Sequence, residues 1–170
     1  STSTKVAIFE DEKMVVQENI PQPVETRLIA SLPSKTSTIF DQLDLRKKIV
    51  ESFLTKHNIK VSDLSAIAAR GGPLPPAEGG TYVIDEKLID ATRNRYATEH
   101  TSLLAALIAY ELGLSAKIPM FIVDLVSVDE WNDVARLSGL PELPRVSLSH
   151  ALNLRATARR AARDLKLDYT

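Results

Sequence analysis

Two apolar runs in this sequence end on a charged residue: Leu64–Ala69 stops at Arg70, and Ile118–Val123 stops at Asp124. Arginine presents a planar fork of donors matched to carboxylate or phosphate, while aspartate accepts a proton or ligates a cation. Continuous apolar runs are how parallel strands covered on both faces read, and ligands of open α/β sheets lie beyond the carboxyl ends of such strands. Arg70 and Asp124 are therefore candidates for one rim of one sheet. With equal weight they are charged residues at which two strands return to water. Gly71 and Gly72, directly after the arginine, permit a close backbone approach to a ligand or simply a tight turn.

The three histidines, His57, His100 and His150, are too widely spaced for a local metal motif. His57 falls near a helix C-terminus among polar residues and reads as solvated. His100 precedes a strongly apolar stretch, and His150 opens the last helical pattern. The positive end of a helix dipole favours an anion there, with the imidazole as donor. Taken singly, each histidine reads more readily as a packed or surface residue. Ser1-Thr2-Ser3-Thr4-Lys5 sets hydroxyls and a cation ahead of a strand, a composition able to hold phosphate and Mg²⁺. Neither Gly-x-x-x-x-Gly nor Gly-x-Gly-x-x-Gly is present, and alone the stretch reads as a frayed polar terminus. Arg155, Arg159, Arg160, Arg163 and Lys166 form a basic stripe with no aromatic interleaving. That pattern suits a solvated or partner-facing helix rather than a nucleic-acid surface.

The elements that must carry these residues follow from periodicity. Lys5–Glu10 and Lys13–Gln17 read as a hairpin turning at Asp11-Glu12, and Pro21 and Pro23 end that region. Ser37–His57 repeats apolar residues at three- and four-residue steps, predicting an amphipathic helix capped by Ser37 or Thr38. The Pro- and Gly-rich stretch 73–80 is a loop, and Thr81–Ile84 is a strand. Thr101–Leu112 is apolar nearly all round, predicting a buried helix closed by Gly113. Asp129–Leu137 predicts a short helix, and Ser147–Leu167 a long one. A hairpin followed by alternating strands and helices predicts an α/β fold, a mixed sheet with helices on its faces.

Composition limits what such a fold can do. The 170 residues are 44% apolar and 25% charged, with a net charge of −1 and no cysteine. One ordinary domain with a core is implied. Disulfides and thiolate chemistry are excluded, bulk electrostatic binding to nucleic acid or anionic membrane is not expected, and no apolar run approaches the roughly 20 residues that span a bilayer. The expectation is a cytoplasmic protein. The chain opens without Met and enters a strand pattern at once, so it is expected to be processed or part of something larger.

The ordered segments Ser1–Lys5, Ala69-Arg70-Gly71-Gly72, Glu78-Gly79-Gly80-Thr81-Tyr82, Glu99-His100, Phe121-Ile122-Val123-Asp124, Val128-Asp129-Glu130, Asp133–Arg136 and Ser149–Asn153 together resemble the butyrate kinases. These belong to the acetate kinase family of the sugar kinase, heat-shock-70 and actin superfamily. The resemblance implies reversible phosphoryl transfer between ATP and a short-chain carboxylate, giving an acyl phosphate and ADP, with Mg²⁺. By the same match Ser1, Ser3 and Lys5 belong to a phosphate and Mg²⁺ loop, with Ser1 and Asp124 near the metal. Asp124 matches the family's catalytic aspartate, His150 a histidine that stabilises the transferring phosphoryl group, and His100 a histidine at the rim. Arg70 is assigned to anion contact by chemistry, because a gapless match to acetate kinases puts it on a histidine. Leu125, Leu103, Thr98 and Ser149 depart from the family's proline, asparagine, glycine and aromatic residue, which puts a polar contact near His100 in doubt and reshapes the carboxylate pocket.

The implied fold is ribonuclease H-like. Residues 1–170 would be a partial N-terminal actin-like ATPase-fold domain, lacking the family's first, central strand and its second nucleotide-binding domain. The isolated chain is then expected to be inactive, and the full-length protein to be a homo-oligomer. The alternative expectation is a non-catalytic binding or assembly module.

Overall fold

The alternation of β-branched residues around Asp11-Glu12 produces the first pair of strands. In the computed structural model, which describes residues 3–22, 38–94 and 100–169, β1 (Ser3–Glu10) pairs antiparallel with β2 (Lys13–Pro21). Asp11 turns the chain at φ 52°, a left-handed conformation that a short polar side chain tolerates. A bulge between Ile8 and Phe9 shifts the register before the turn.

Thr38 opens the next segment, its amide donating to Asp41 Oδ2 at 2.7 Å over a 3₁₀ turn at Ile39–Gln42. The chain then runs into α1 (Leu43–Lys56), which buries Phe53 and Leu54. The helix expected over 37–57 is thus a 3₁₀ entry plus an α-helix, with Ser37 outside the described residues.

The second sheet holds β3 (Ile67–Arg70), β4 (Thr81–Val83) and β5 (Met120–Val123) in the order β3-β5-β4. β3 runs parallel to β5 and β4 antiparallel, so this sheet is mixed as expected. Two helices follow β4: α2 (Glu86–Arg93) and α3 (Leu103–Ala116). Helix α2 was not expected, although Asp85, whose side chain accepts from the Leu88 amide at 2.8 Å, is an ordinary capping signal. The last helix, α4, spans Ala151–Leu165.

The core lies where α3 meets the sheet. Leu103, Leu104, Leu107 and Ile108 pack with Ala69, Ile84 and Ile122. Helix α3 has no polar face because the sheet lies on one side and α1 and α2 on others.

Several expectations are corrected. The division of the described strands into two sheets, β1-β2 and β3-β5-β4, is not among them, since it falls between the hairpin and the strand ending at Arg70, where the missing central strand is expected. Helices do not cover both faces of the second sheet: Ala68 is exposed in β3 while Ala69 is buried, and α4 buries no residue. Gly113 does not close α3. The helix continues to Ala116, and Lys117 takes the left-handed position at φ 58°. Gly113 is there for close packing, since a Cβ on it would collide with the Met120 side chain. Residues 129–137 hold only a 3₁₀ turn at Asp133–Arg136.

Candidate functional site

Parallel pairing brings the two charged strand ends together. Arg70 lies opposite Val123, and the Gly71 amide donates to the Val123 carbonyl at 2.7 Å, so Asp124 follows directly beside the arginine. Asp124 is buried and left-handed at φ 53°. That conformation is uncommon for a residue with a Cβ and marks a constrained position.

Three donors hold the Asp124 carboxylate. Arg70 Nε donates to Oδ2 at 3.2 Å, His150 Nδ1 lies 3.0 Å from Oδ2, and the Asn153 amide donates to Oδ1 at 3.2 Å. His150 is the N-cap of α4 yet makes no side-chain cap bond, so Asp124 supplies the missing cap from across the chain. His150 Nδ1 also lies 2.9 Å from the Asp124 carbonyl oxygen. Both neighbours of Nδ1 are acceptors, which requires the proton there and leaves Nε2 as the outward nitrogen. Arg70 is more than half exposed, so its pair with Asp124 contributes only about 0–1 kcal/mol to stability. Its value is positional.

His100 has the opposite tautomer. Its Nδ1 accepts from the Ser102 amide at 3.2 Å and lies 2.6 Å from Ser102 Oγ, so Nε2–H is its donor. Its partner Ser102 lies against the loop after Arg70, since a Cβ on Gly72 would come within 2.7 Å of Ser102 Oγ. Ser3 and Lys5 lie inside β1 rather than in a loop before it, paired with Pro21 and Asn19. The Ser3 carbonyl and Thr4 hydroxyl accept from the buried Arg46 at 3.2 Å. Ser1 lies outside the described residues. His57 is not simply solvated: Nε2 lies 2.7 Å from Glu18 Oε1, and its ring packs 4.8 Å from that of Phe53.

A second carboxylate, with no motif around it in the sequence, joins the same segments. Glu130 Oε1 accepts from the Gly79 amide at 2.8 Å and Oε2 from Arg155 at 2.5 Å. These partners hold its carboxyl below the usual range, the Gly79 amide first and Arg155 next. Nearby, Arg136 grips both oxygens of Asp129 at 2.9 and 3.0 Å and keeps that carboxyl low as well. Glu130 lies 51 residues from Gly79, and no local spacing could have revealed the contact.

As a donor set the cluster suits phosphate-bound Mg²⁺ better than an all-protein cage. Among the described residues no group of three or more acidic or histidine side chains could hold a metal. A single carboxylate such as Asp124, with substrate phosphates and water, is what Mg²⁺ commonly accepts.

No family model matches the chain. It is 48% identical over 165 residues to a probable butyrate kinase of Thermotoga petrophila, covering 97% of this chain and 44% of that protein. Probable butyrate kinase 2 of Caldanaerobacter subterraneus is 44% identical over 167 residues, covering 98% of this chain and 46% of the relative. The crystal structure of acetate kinase from Entamoeba histolytica has a similar fold, with a TM-score of 0.58 at 11% identity, covering 97% of this chain and 44% of that one. The chain therefore spans less than half the length of these relatives. No helix among the described residues is long and apolar enough to cross a membrane.

Proposed function

On the premise that this chain is homologous to butyrate kinases over 97% of its own length, we propose that it is part of a carboxylate kinase. The protein that carries it would transfer the terminal phosphoryl group of ATP to a short-chain carboxylate, giving an acyl phosphate and ADP, reversibly. Residues 1–170 would be a partial N-terminal domain, inert alone. The observation that carries this reading is the convergence of Arg70, His150 and Asp124 within 3.2 Å beyond the carboxyl ends of two parallel strands.

Phosphoryl transfer asks a protein mainly for positioning and for positive charge around the equatorial oxygens. Arg70 would orient the carboxylate or the transferring group through its donor fork. His150 would face the transferring group with Nε2, because Nδ1 is committed to Asp124. His100 would offer its Nε2–H from the rim. Ser1 and Asp124 would hold Mg²⁺, and Ser1, Ser3 and Lys5 would belong to the phosphate loop. The chemistry that Mg²⁺ would supply when bound is positive charge to offset that of the phosphates.

The test is an acyl-phosphate trapping assay on the full-length protein with ATP, Mg²⁺ and butyrate. Product is expected, with Asp124→Asn and His150→Ala lowering kcat by about 10²-fold or more. Absence of product with straight-chain acids from acetate to pentanoate would reject the reading. The binding or assembly alternative is favoured by α4, which buries no residue and leaves Leu154 and Leu165 exposed.

A further inference from the structure

Asp124 has a structural partner in the same connection. Three chain segments meet at the site: the loop after β3, which runs from Arg70 to Gly80, the segment after β5, and the start of α4. Asp124 ties the first and third through Arg70, His150 and the Asn153 amide. Glu130, six residues on, ties the same two segments again, through the Gly79 amide and Arg155. The contact is close: a Cβ on Gly79 would come within 2.6 Å of Glu130 Oε1 and 3.2 Å of Leu152. The Glu78 carbonyl in that loop is itself held by the Tyr82 hydroxyl at 2.7 Å.

We infer that Glu130 is a positioning residue, holding the loop after Arg70 and the helix behind His150 in place when Asp124 turns to its ligand. The inference rests on the carboxylate kinase reading. Three protein donors already share the Asp124 carboxylate, so a metal or substrate drawn to it competes with them, and any donor that gives way is released. Each release removes a tie between the segments that carry Arg70 and His150. Glu130 touches neither of those side chains, and its two bonds survive the exchange. A frame held this way keeps the reacting groups in register, and small misplacements of such groups cost rate steeply.

The experiment compares Glu130→Ala, Glu130→Gln and Arg155→Ala in the full-length protein. Glu130→Ala is expected to lower kcat about 10–100-fold with the KM for ATP within about twofold, as loss of an outer orienting partner commonly does. Glu130→Gln keeps an acceptor for the Gly79 amide and should recover most of that loss. Adding Arg155→Ala to Glu130→Ala should cost little more. Hydrogen exchange at the Asn153 amide should speed up about tenfold in Glu130→Ala, because the start of α4 would drift from Asp124. Unchanged kcat, or a kcat loss that Glu130→Gln does not relieve, overturns the inference. If the unaltered protein transfers no phosphoryl group, the kinase reading fails. Exchange then decides the positioning role: unchanged Asn153 protection overturns it, and faster exchange sustains it.

Discussion

Asp124 carries two burdens that substitutions can separate. Its carboxylate gathers Arg70, His150 and the Asn153 amide, and its backbone is left-handed. Alanine loses both advantages, whereas glycine loses only the carboxylate, since it adopts φ > 0 without a Cβ clash. Asp124→Gly should therefore be more stable than Asp124→Ala by roughly 1–2 kcal/mol, read from urea midpoints, while in the full-length protein both variants should lose the proposed transfer activity. Equal stabilities would show that the conformation at residue 124 is not strained. Arg70→Lys is the companion test. A lysine can reach Asp124 but presents no planar fork, so stability should hold within about 0.5 kcal/mol while kcat/KM falls. This much of the site was legible in the sequence, because two apolar runs ending in Arg and Asp need only parallel pairing to meet. Glu130 was not legible, since its partners come from two distant segments and carry no motif.

At the scale of elements, the glycines after Arg70 act as spacers. A Cβ on Gly71 would collide with the Leu125 side chain and approach the Leu125 Cα at 2.8 Å, and a backbone atom cannot swing aside. Gly71→Ala should destabilise by about 1–3 kcal/mol in chemical denaturation and displace the residue next to Asp124. The carboxylates that join elements set the acid limit of stability. Lys56 and then His57 hold Glu18 below its ordinary 4.5, and Arg136 holds Asp129 below its ordinary 3.8. A carboxyl depressed in the folded state contributes stability above its unfolded value, and that contribution is lost as pH falls through the folded one. The thermal midpoint should thus be flat above about pH 5 and fall through the pH 4 to 3 region. Asp129→Asn should flatten part of that fall. An acid limb unchanged in Asp129→Asn would mean that the Arg136 pair does not act on folding. The 3₁₀ turn at 133–136, in place of a helix, follows from the same pair: Asp129 draws Arg136 back across the turn instead of letting the chain run on.

Across the whole molecule, stability concentrates where α3 meets the second sheet. Leu107 is buried among leucines and Ile108 on a helix whose first three turns are nearly all buried, so Leu107→Ala should cost about 2–5 kcal/mol by thermal or urea unfolding. Leu154→Ala on α4, an exposed position, should change stability by less than about 0.5 kcal/mol. The helical period of α1, the apolar identity of α3, the hairpin at Asp11-Glu12 and the strand endings at Arg70 and Asp124 follow from local order along the chain, because periodicity, turn chemistry and strand endings are short-range properties. The open face of β3, Gly113 as a packing position, the opposed tautomers of His100 and His150 and the ties made by Glu130 follow only from the fold. Each depends on which distant residue fills the space beside a given atom, and that is decided by packing rather than by spacing.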